Sequence, residues 1–310
     1  MAQSTPLSLA LFGVAVGAYS LAVIVFVFAL TFRRAAIGRA AVALVMLGWP
    51  FHAASIFTRA LEAGHWPLGN MYEYSTGIAF VITTTYLVIA LRRGPRLVGL
   101  PAMMMVVALL GVAYMLYVPP GQLVPALHSY WLTIHVSSMA SSSGILTFSF
   151  LFGMGYLARI WADKRVGSIE LRGQAVGAKA MRSVGALAAD SLPRAPRFAS
   201  AVQRLLPEAP ALDRWSYRFV MLGFPIWSFG VICGAIWGEH AWGRYWGWDP
   251  KETFAFITWV IFAIYLHARV TYGWKEKRAA MITGIGMVSI LFTLYAVNLW
   301  IAGLHSYAKA

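Results

Sequence analysis

Long unbroken apolar runs, separated by short clusters of arginine, lysine and proline, set the pattern of this chain. Eight runs are read, at about 7–32, 40–59, 74–91, 97–117, 131–160, 215–237, 253–273 and 279–301. Runs of roughly 18 or more apolar residues are long enough to cross a hydrocarbon layer of about 30 Å as a helix. The apolar positions are continuous rather than alternating, which excludes a transmembrane β-barrel. The pattern predicts an all-α, polytopic integral membrane helical bundle. The fifth run is the longest and predicts a helix that tilts or extends beyond the bilayer. Small residues at Ser137–Gly144 predict a close helix–helix approach. No internal repeat is evident, so residues 1–310 read as one membrane domain.

Composition agrees. The chain is 60% hydrophobic and 12% charged, with a mean hydropathy of +0.67, whereas a soluble domain carries about 25% charged residues. A formal charge of +14 would suit a nucleic-acid partner, but its distribution points elsewhere. Of the 25 basic residues, 21 fall in alternate loops: Arg33, Arg34 and Arg39; Arg92, Arg93 and Arg96; the stretch Arg159–Arg218; and Arg269, Lys275, Lys277 and Arg278. Only Arg59, Arg244, Lys251 and Lys309 fall on the other side. The positive-inside rule makes the first set cytoplasmic and both termini external. The charge is thus a topology and anionic-lipid signal, and no nucleic acid is expected. The first run has no basic region before it and reads as a retained helix rather than a cleaved signal. Residues 161–214 form a basic cytoplasmic loop, Ala-rich and weakly amphipathic, broken at Leu192–Pro196 and expected to lay surface helices on the membrane. Cys233 is the only cysteine and lies in an apolar run, so the chain has no disulfide, CxxC pair or thiolate cluster.

Candidate chemistry concentrates in residues 238–252, expected as an external loop. Trp242, Gly243, Arg244, Trp246, Trp248, Asp249, Lys251 and Glu252 fall there, flanked by Trp237 and Trp259. An interfacial aromatic belt is the plainer reading of any single tryptophan. So many indoles together suit a flat, apolar, anionic ligand, with haem the leading candidate. Asp249-Pro250-Lys251-Glu252 has the order of a helix start: cap, proline at the first helical position, glutamate at the third. Arg244 and Lys251 are candidate partners for haem propionates.

Histidines extend the argument. His135 lies about one turn inside the fifth run, and His305 just beyond the eighth, both at the depth of the tryptophan loop. Two imidazoles on opposite faces of one iron would make a six-coordinate haem site. His267 lies 14 residues past Thr253, roughly 21 Å along a helix, and implies a second, intramembrane site. His128 and His240 are rival external ligands, His65 reads as a surface residue and His52 as a core residue.

The run Trp242-Gly-x-x-Trp246-x-Trp248-Asp249-x-x-Glu252 resembles the tryptophan-rich WWD signature of haem-handling proteins in cytochrome c maturation. Trp66-Pro-Leu-Gly-Asn-Met-Tyr-Glu-Tyr74, Ser129-Tyr-Trp-Leu-Thr-Ile-His135-Val, Tyr265-Leu-His267-Ala-Arg269 and Gly303-Leu-His305-Ser-Tyr307 narrow it to the CcsA/ResC family of system II. The resemblance covers nearly the whole chain. It implies a subunit of a cytochrome c synthase, of haem lyase type, working with the membrane subunit CcsB (ResB) in a bacterial cytoplasmic or thylakoid-type membrane. It implies that haem b is a transient substrate carried across the membrane to the external loop. His135 and His305 would ligate it there, and His267 would share haem with a histidine of CcsB. The acceptor would be a reduced CxxCH segment of apocytochrome c, kept reduced by an external thiol-reducing protein. Rival readings are a system I WWD delivery protein, a cytochrome b-like membrane oxidoreductase subunit, and a secondary transporter with an aromatic gate.

Overall fold

The computed structural model of the chain describes residues 5–93, 98–123, 127–182, 197–301 and 303–304. The described elements are helical: α1 (Leu7–Phe32), α2 (Ala35–Ala63), α3 (Met71–Arg93), α4 (Gly99–Met115), α5 (Tyr130–Arg182), α6 (Arg197–Leu205), α7 (Ala209–Trp242), α8 (Pro250–Thr271), α9 (Glu276–Leu291) and α10 (Val297–Trp300). A five-residue π-helical turn, Phe292–Ala296, joins α9 to α10. Seven helices are long and apolar enough to cross a membrane, and α4 is a shorter apolar helix. The chain is an all-α polytopic membrane bundle.

Seven of the predicted apolar runs fall on single helices and the eighth on α9, the π turn and α10, and α2, α3, α5 and α7 outrun theirs. α2 continues to Ala63 and α7 to Trp242. Apolar runs report the part of a helix inside hydrocarbon, whereas backbone hydrogen bonding continues into the interfacial zone. α5 is the extreme case: its 53 residues span about 80 Å. Within residues 161–214 the described chain therefore continues α5 to Arg182, forms α6 and opens α7. Arg159 on α5 donates to the Gln203 and Leu206 carbonyls at 3.1 and 2.8 Å, so it caps α6 and holds it against α5. The break at Leu192–Pro196 lies outside the described residues.

Two groups of helices make the core. α1 packs on α2 and α4, and α3 on α2 and α4. α5 packs on α7 and α9, with α8 against α7 and α9. The α3–α5 contact joins the groups. Ser137–Gly144 is where α5 meets two neighbours. The Ser142 hydroxyl donates to the Gly223 carbonyl of α7 at 2.8 Å, and a Cβ on Gly144 would sit 2.6 Å from Val81 of α3. Small residues let the backbones approach and let a hydroxyl find a partner in an apolar medium.

Arg59, grouped above with loop charges, lies in the last turns of α2 and is buried. Its Nε donates to Glu73 at 2.9 Å and its guanidinium to the Val118 carbonyl at 2.7 Å, between the rings of Tyr72 and Tyr117. Glu73 also accepts from the Gly69 amide at 2.9 Å. This buried pair fixes the chain between α2 and α3, including Leu68–Met71, beside the site described next.

Candidate functional site

The last turns of α7, the first turn of α8, the first third of α5 and the π turn surround a cavity of about 1120 Å³, its mouth included. His135, Trp237, Trp246, Lys251 and Glu252 line it, five of the residues that the sequence singles out. Apolar walls come from Met139, Val231, Ala255, Ile290 and Leu294.

His135 is half-buried. Its Nδ1 lies 2.7 Å from the Gly230 carbonyl of α7. A carbonyl only accepts, so Nδ1 carries the proton, and in the neutral ring Nε2 carries the lone pair. A Cβ on Gly234 would stand 2.6 Å from the same Nδ1, so α7 leaves space for this ring only because residue 234 is glycine. Trp237 is 2% exposed and lies nearly parallel to the imidazole, 13° between planes and 6.2 Å between centroids. Fixing the tautomer of a ligand histidine through its second nitrogen is how proteins orient imidazole toward a metal.

The tryptophans divide the work. Trp242 is the final residue of α7, on the helix rather than in a loop, and packs edge-on against Trp237 at 4.8 Å. It sits with Leu127, Leu132 and Trp131, behind the cavity wall. Gly243 ends the helix in the left-handed region (φ 68°), and its amide bonds the Glu239 carbonyl at 2.8 Å. Trp246 lines the cavity and meets Trp248 edge to face at 5.8 Å. Trp248 is 66% exposed and takes a φ of 59°, costly for so bulky a residue by roughly 1–3 kcal/mol.

The helix start read from sequence forms as a capping box. The Asp249 carboxylate accepts from the Lys251 amide at 3.0 Å, and Glu252 accepts from the Asp249 and Gly247 amides at 3.1 and 2.8 Å. Asp249 does more than cap. Its second oxygen accepts from the Leu304 amide at 2.7 Å, and a Cβ on Gly303 would come 2.6 Å from that oxygen. One buried carboxylate ties the tryptophan loop to the segment after α10. His305, the residue after Leu304, lies outside the described residues.

Lys251 is the cation among the cavity-lining residues, and its ammonium donates to Asn298 at 3.0 Å. Asn298 follows the π turn and bonds the Leu294 carbonyl. A π turn displaces the residues after it and frees a carbonyl, which is how Thr293, Leu294 and Asn298 all reach the cavity. The Arg244 guanidinium folds back across Gly247, where a Cβ would collide with it.

The other histidines lie apart. His267 is exposed on α8, 15 residues beyond Glu252 or about 22 Å along the axis, with Tyr272 beside it. His240 is exposed and its Nδ1 bonds the Ile236 carbonyl. His128 belongs to a neighbouring groove. His65 is half-buried and set against the Trp66 and Gly121 carbonyls. His52 is fully buried and packs with Tyr19 and Phe80.

Tyr74, from the Trp66–Tyr74 phrase, also lines the cavity, as do Met139, Trp227 and Asn298, which the sequence reading did not single out. A signal existed for two of them: Met139 is four residues after His135, and Trp227 precedes Val231 and Gly234 by four and seven. Asn298 carries no such mark.

A profile of the family described as "Cytochrome C assembly protein" matches residues 68–305, the span containing every cavity-lining residue. The chain is 38% identical over 292 residues to "Cytochrome c biogenesis protein CcsA" of Synechococcus elongatus, covering 88% of this chain and 87% of that protein. It is 34% identical over 295 residues to the Gloeobacter violaceus protein of that name (87% and 85%). It is 36% identical over 273 residues to that of Porphyra purpurea (82% of each).

Proposed function

The chain belongs to the cytochrome c assembly protein family, its role lies in cytochrome c maturation, and from this premise we propose that its cavity holds haem for covalent attachment to apocytochrome c. One observation carries the proposal: His135, its tautomer set by the Gly230 carbonyl, lines a mostly apolar cavity beside Trp237 and Trp246. Among the described residues, no three His, Cys, Asp or Glu side chains converge on a metal site. A single imidazole in an apolar space suits an iron that arrives with its macrocycle already supplying four nitrogens.

Haem b is treated as substrate and cargo. His135 Nε2 would supply one nitrogen ligand to its iron, and His305 is the candidate for the second. Trp237 and Trp246 give flat apolar area, and Trp248 extends it at the mouth. Lys251, steered by Asn298, and Arg244 are the cations for the propionates. Asp249 and Glu252 hold the loop and the chain before His305 in register, Glu252 from the cavity lining itself. Gly243 lets α7 end where the loop must begin.

Maturation adds the two thiols of a CxxCH segment across the two vinyl groups. Each S–H bond breaks as a C–S bond and a C–H bond form. The step consumes no oxidant but requires reduced thiols, which an external thiol-reducing protein would maintain. The cavity contributes proximity and orientation. His267, exposed on α8, suits an inner site completed by a histidine of the CcsB subunit, from which haem moves outward. The charge asymmetry supports an external tryptophan loop, in a bacterial cytoplasmic or thylakoid-type membrane.

The test is the haem spectrum of the purified chain with its CcsB partner, for the parent and for His135→Ala and His305→Ala. The expected result is loss of the cavity's share of the bound-haem absorbance in each, restored by added imidazole, with the share held at His267 retained. Full haem content and unimpaired cytochrome maturation in both variants would overturn the proposal.

A further inference from the structure

Beside the cavity lies a second, more open depression of about 650 Å³, its mouth included. Leu68, Gly69, Leu127 and Leu132 line both spaces, so one thin wall separates them. One side of the groove is the chain between α2 and α3; the other is the chain leading into α5. His65 spans them: its two ring nitrogens lie 2.8 and 3.0 Å from the Trp66 and Gly121 carbonyls.

We propose that this groove is where the substrate polypeptide docks, holding its cysteine-bearing segment in extended form against the mouth of the haem cavity; this rests on the haem reading of the cavity given above. Three features select a polypeptide. None of the groove-lining residues is Lys, Arg, Asp or Glu, which disfavours propionates and other charged ligands. The polar groups on the lining that can meet a peptide backbone are the Ser129 and Thr133 hydroxyls, both His65 nitrogens being taken by the Trp66 and Gly121 carbonyls. Among the described residues the half-buried Thr133 hydroxyl has no hydrogen-bond partner. The flanks are aromatic, with Trp66 and Tyr130 63% and 67% exposed, as recognition surfaces for peptides commonly are. The groove also sits at the ends of α3 and α5, where a water-soluble chain arrives. A segment lying there needs to pass only the Leu68–Leu132 wall to bring a thiol to the cavity. Cysteine is small and apolar enough to do so.

The test uses the full-length chain in detergent. Native Cys233 is buried, so the parent protein serves as the unreactive background. Thr133→Cys and Ser129→Cys place a thiol in the groove; Leu61→Cys and Glu239→Cys place one on exposed helix ends outside it. The probe is a synthetic CxxCH peptide with its first cysteine as a thionitrobenzoate mixed disulfide and its second replaced by serine. Attack by the protein thiolate forms the protein–peptide disulfide and releases thionitrobenzoate, which reports the rate. Docking raises the local concentration, so the groove thiols should couple about tenfold or more faster than the controls, saturably. Excess CxxCH peptide with both cysteines S-methylated should suppress the advantage, and a scrambled peptide should not. Equal rates at groove and control positions, measured against free cysteine reactivity, would overturn the docking site. Haem content of the same variants separates the two readings. Slow coupling with a normal haem spectrum removes the groove alone, whereas a parent protein that binds no haem removes the cavity assignment whatever the coupling rate.

Discussion

At the end of the α5–α7–α8–α9 bundle away from the tryptophan loop, charge holds the helices together. Arg269 of α8 grips Asp213 of α7 through two bonds of 2.8 and 2.6 Å, with its guanidinium over the Tyr217 ring. Asp213 also accepts from the Glu276 amide at the start of α9. Three helices close there on one buried carboxylate. At the tryptophan-loop end glycines 230 and 234 let α5 bring His135 and Met139 against α7, while indoles and the π turn line the space between the helices. Apart from Lys251 to Asn298, the polar bonds at the site run to backbone groups: His135 to Gly230, Glu252 to Gly247, Asp249 to Leu304. An ion pair pulls side chains into contact and fills space. Backbone-directed bonds hold a side chain at the rim of a space and leave that space open. The fold is tightened at one end and opened at the other.

The sharpest way to break this contrast is His135→Ala. It should abolish haem binding at the cavity, read from the absorbance of the purified protein, while the thermal unfolding midpoint moves little. A large fall in the midpoint with haem retained would mean that the imidazole is a packing residue. Asp213→Ala should do the reverse. Removing one partner of a buried pair costs about 3–5 kcal/mol, so the midpoint falls steeply, and protein that remains folded should still bind haem at the cavity. Gly234→Ala tests orientation. Its methyl would displace the imidazole from the Gly230 carbonyl, and loss of such an orienting bond typically weakens ligation by about 10–100-fold. Titration with haem should show that loss with helicity unchanged. Asp249→Ala removes a helix cap worth about 1 kcal/mol and the tie to Leu304. Asp249→Asn, which keeps an acceptor, should recover much of the haem affinity. The smallest effect is expected for His267→Ala, which should leave the cavity spectrum of the chain without its partner unchanged and lower haem content only in the complex with CcsB.

Much of this was legible before any coordinates. Eight apolar runs gave eight helices, and Asp249-Pro250-Lys251-Glu252 formed the capping box that its order predicts. Such features are local: a helix start is decided within four residues, and an apolar run by the solvent around it. The chain's own tryptophan spacing marked the site's position but not its roles. Trp237 and Trp246 face the cavity, Trp242 stands behind it and Trp248 faces out, because α7 runs five residues past its predicted end and then turns at Gly243.

Sequence alone therefore determined the membrane bundle, the charge asymmetry, the rigid start of α8 and the residues worth watching. Only the tertiary structure decided which of them meet. His135 and Gly230 are 95 positions apart, Asp249 and Leu304 55, and Lys251 and Asn298 47. Their encounters depend on how helices cross and how closely glycine lets them approach, and neither quantity is written in the periodicity of a single helix. The same holds for Arg59, whose charge looked like a loop signal until Glu73, from the next helix, closed over it.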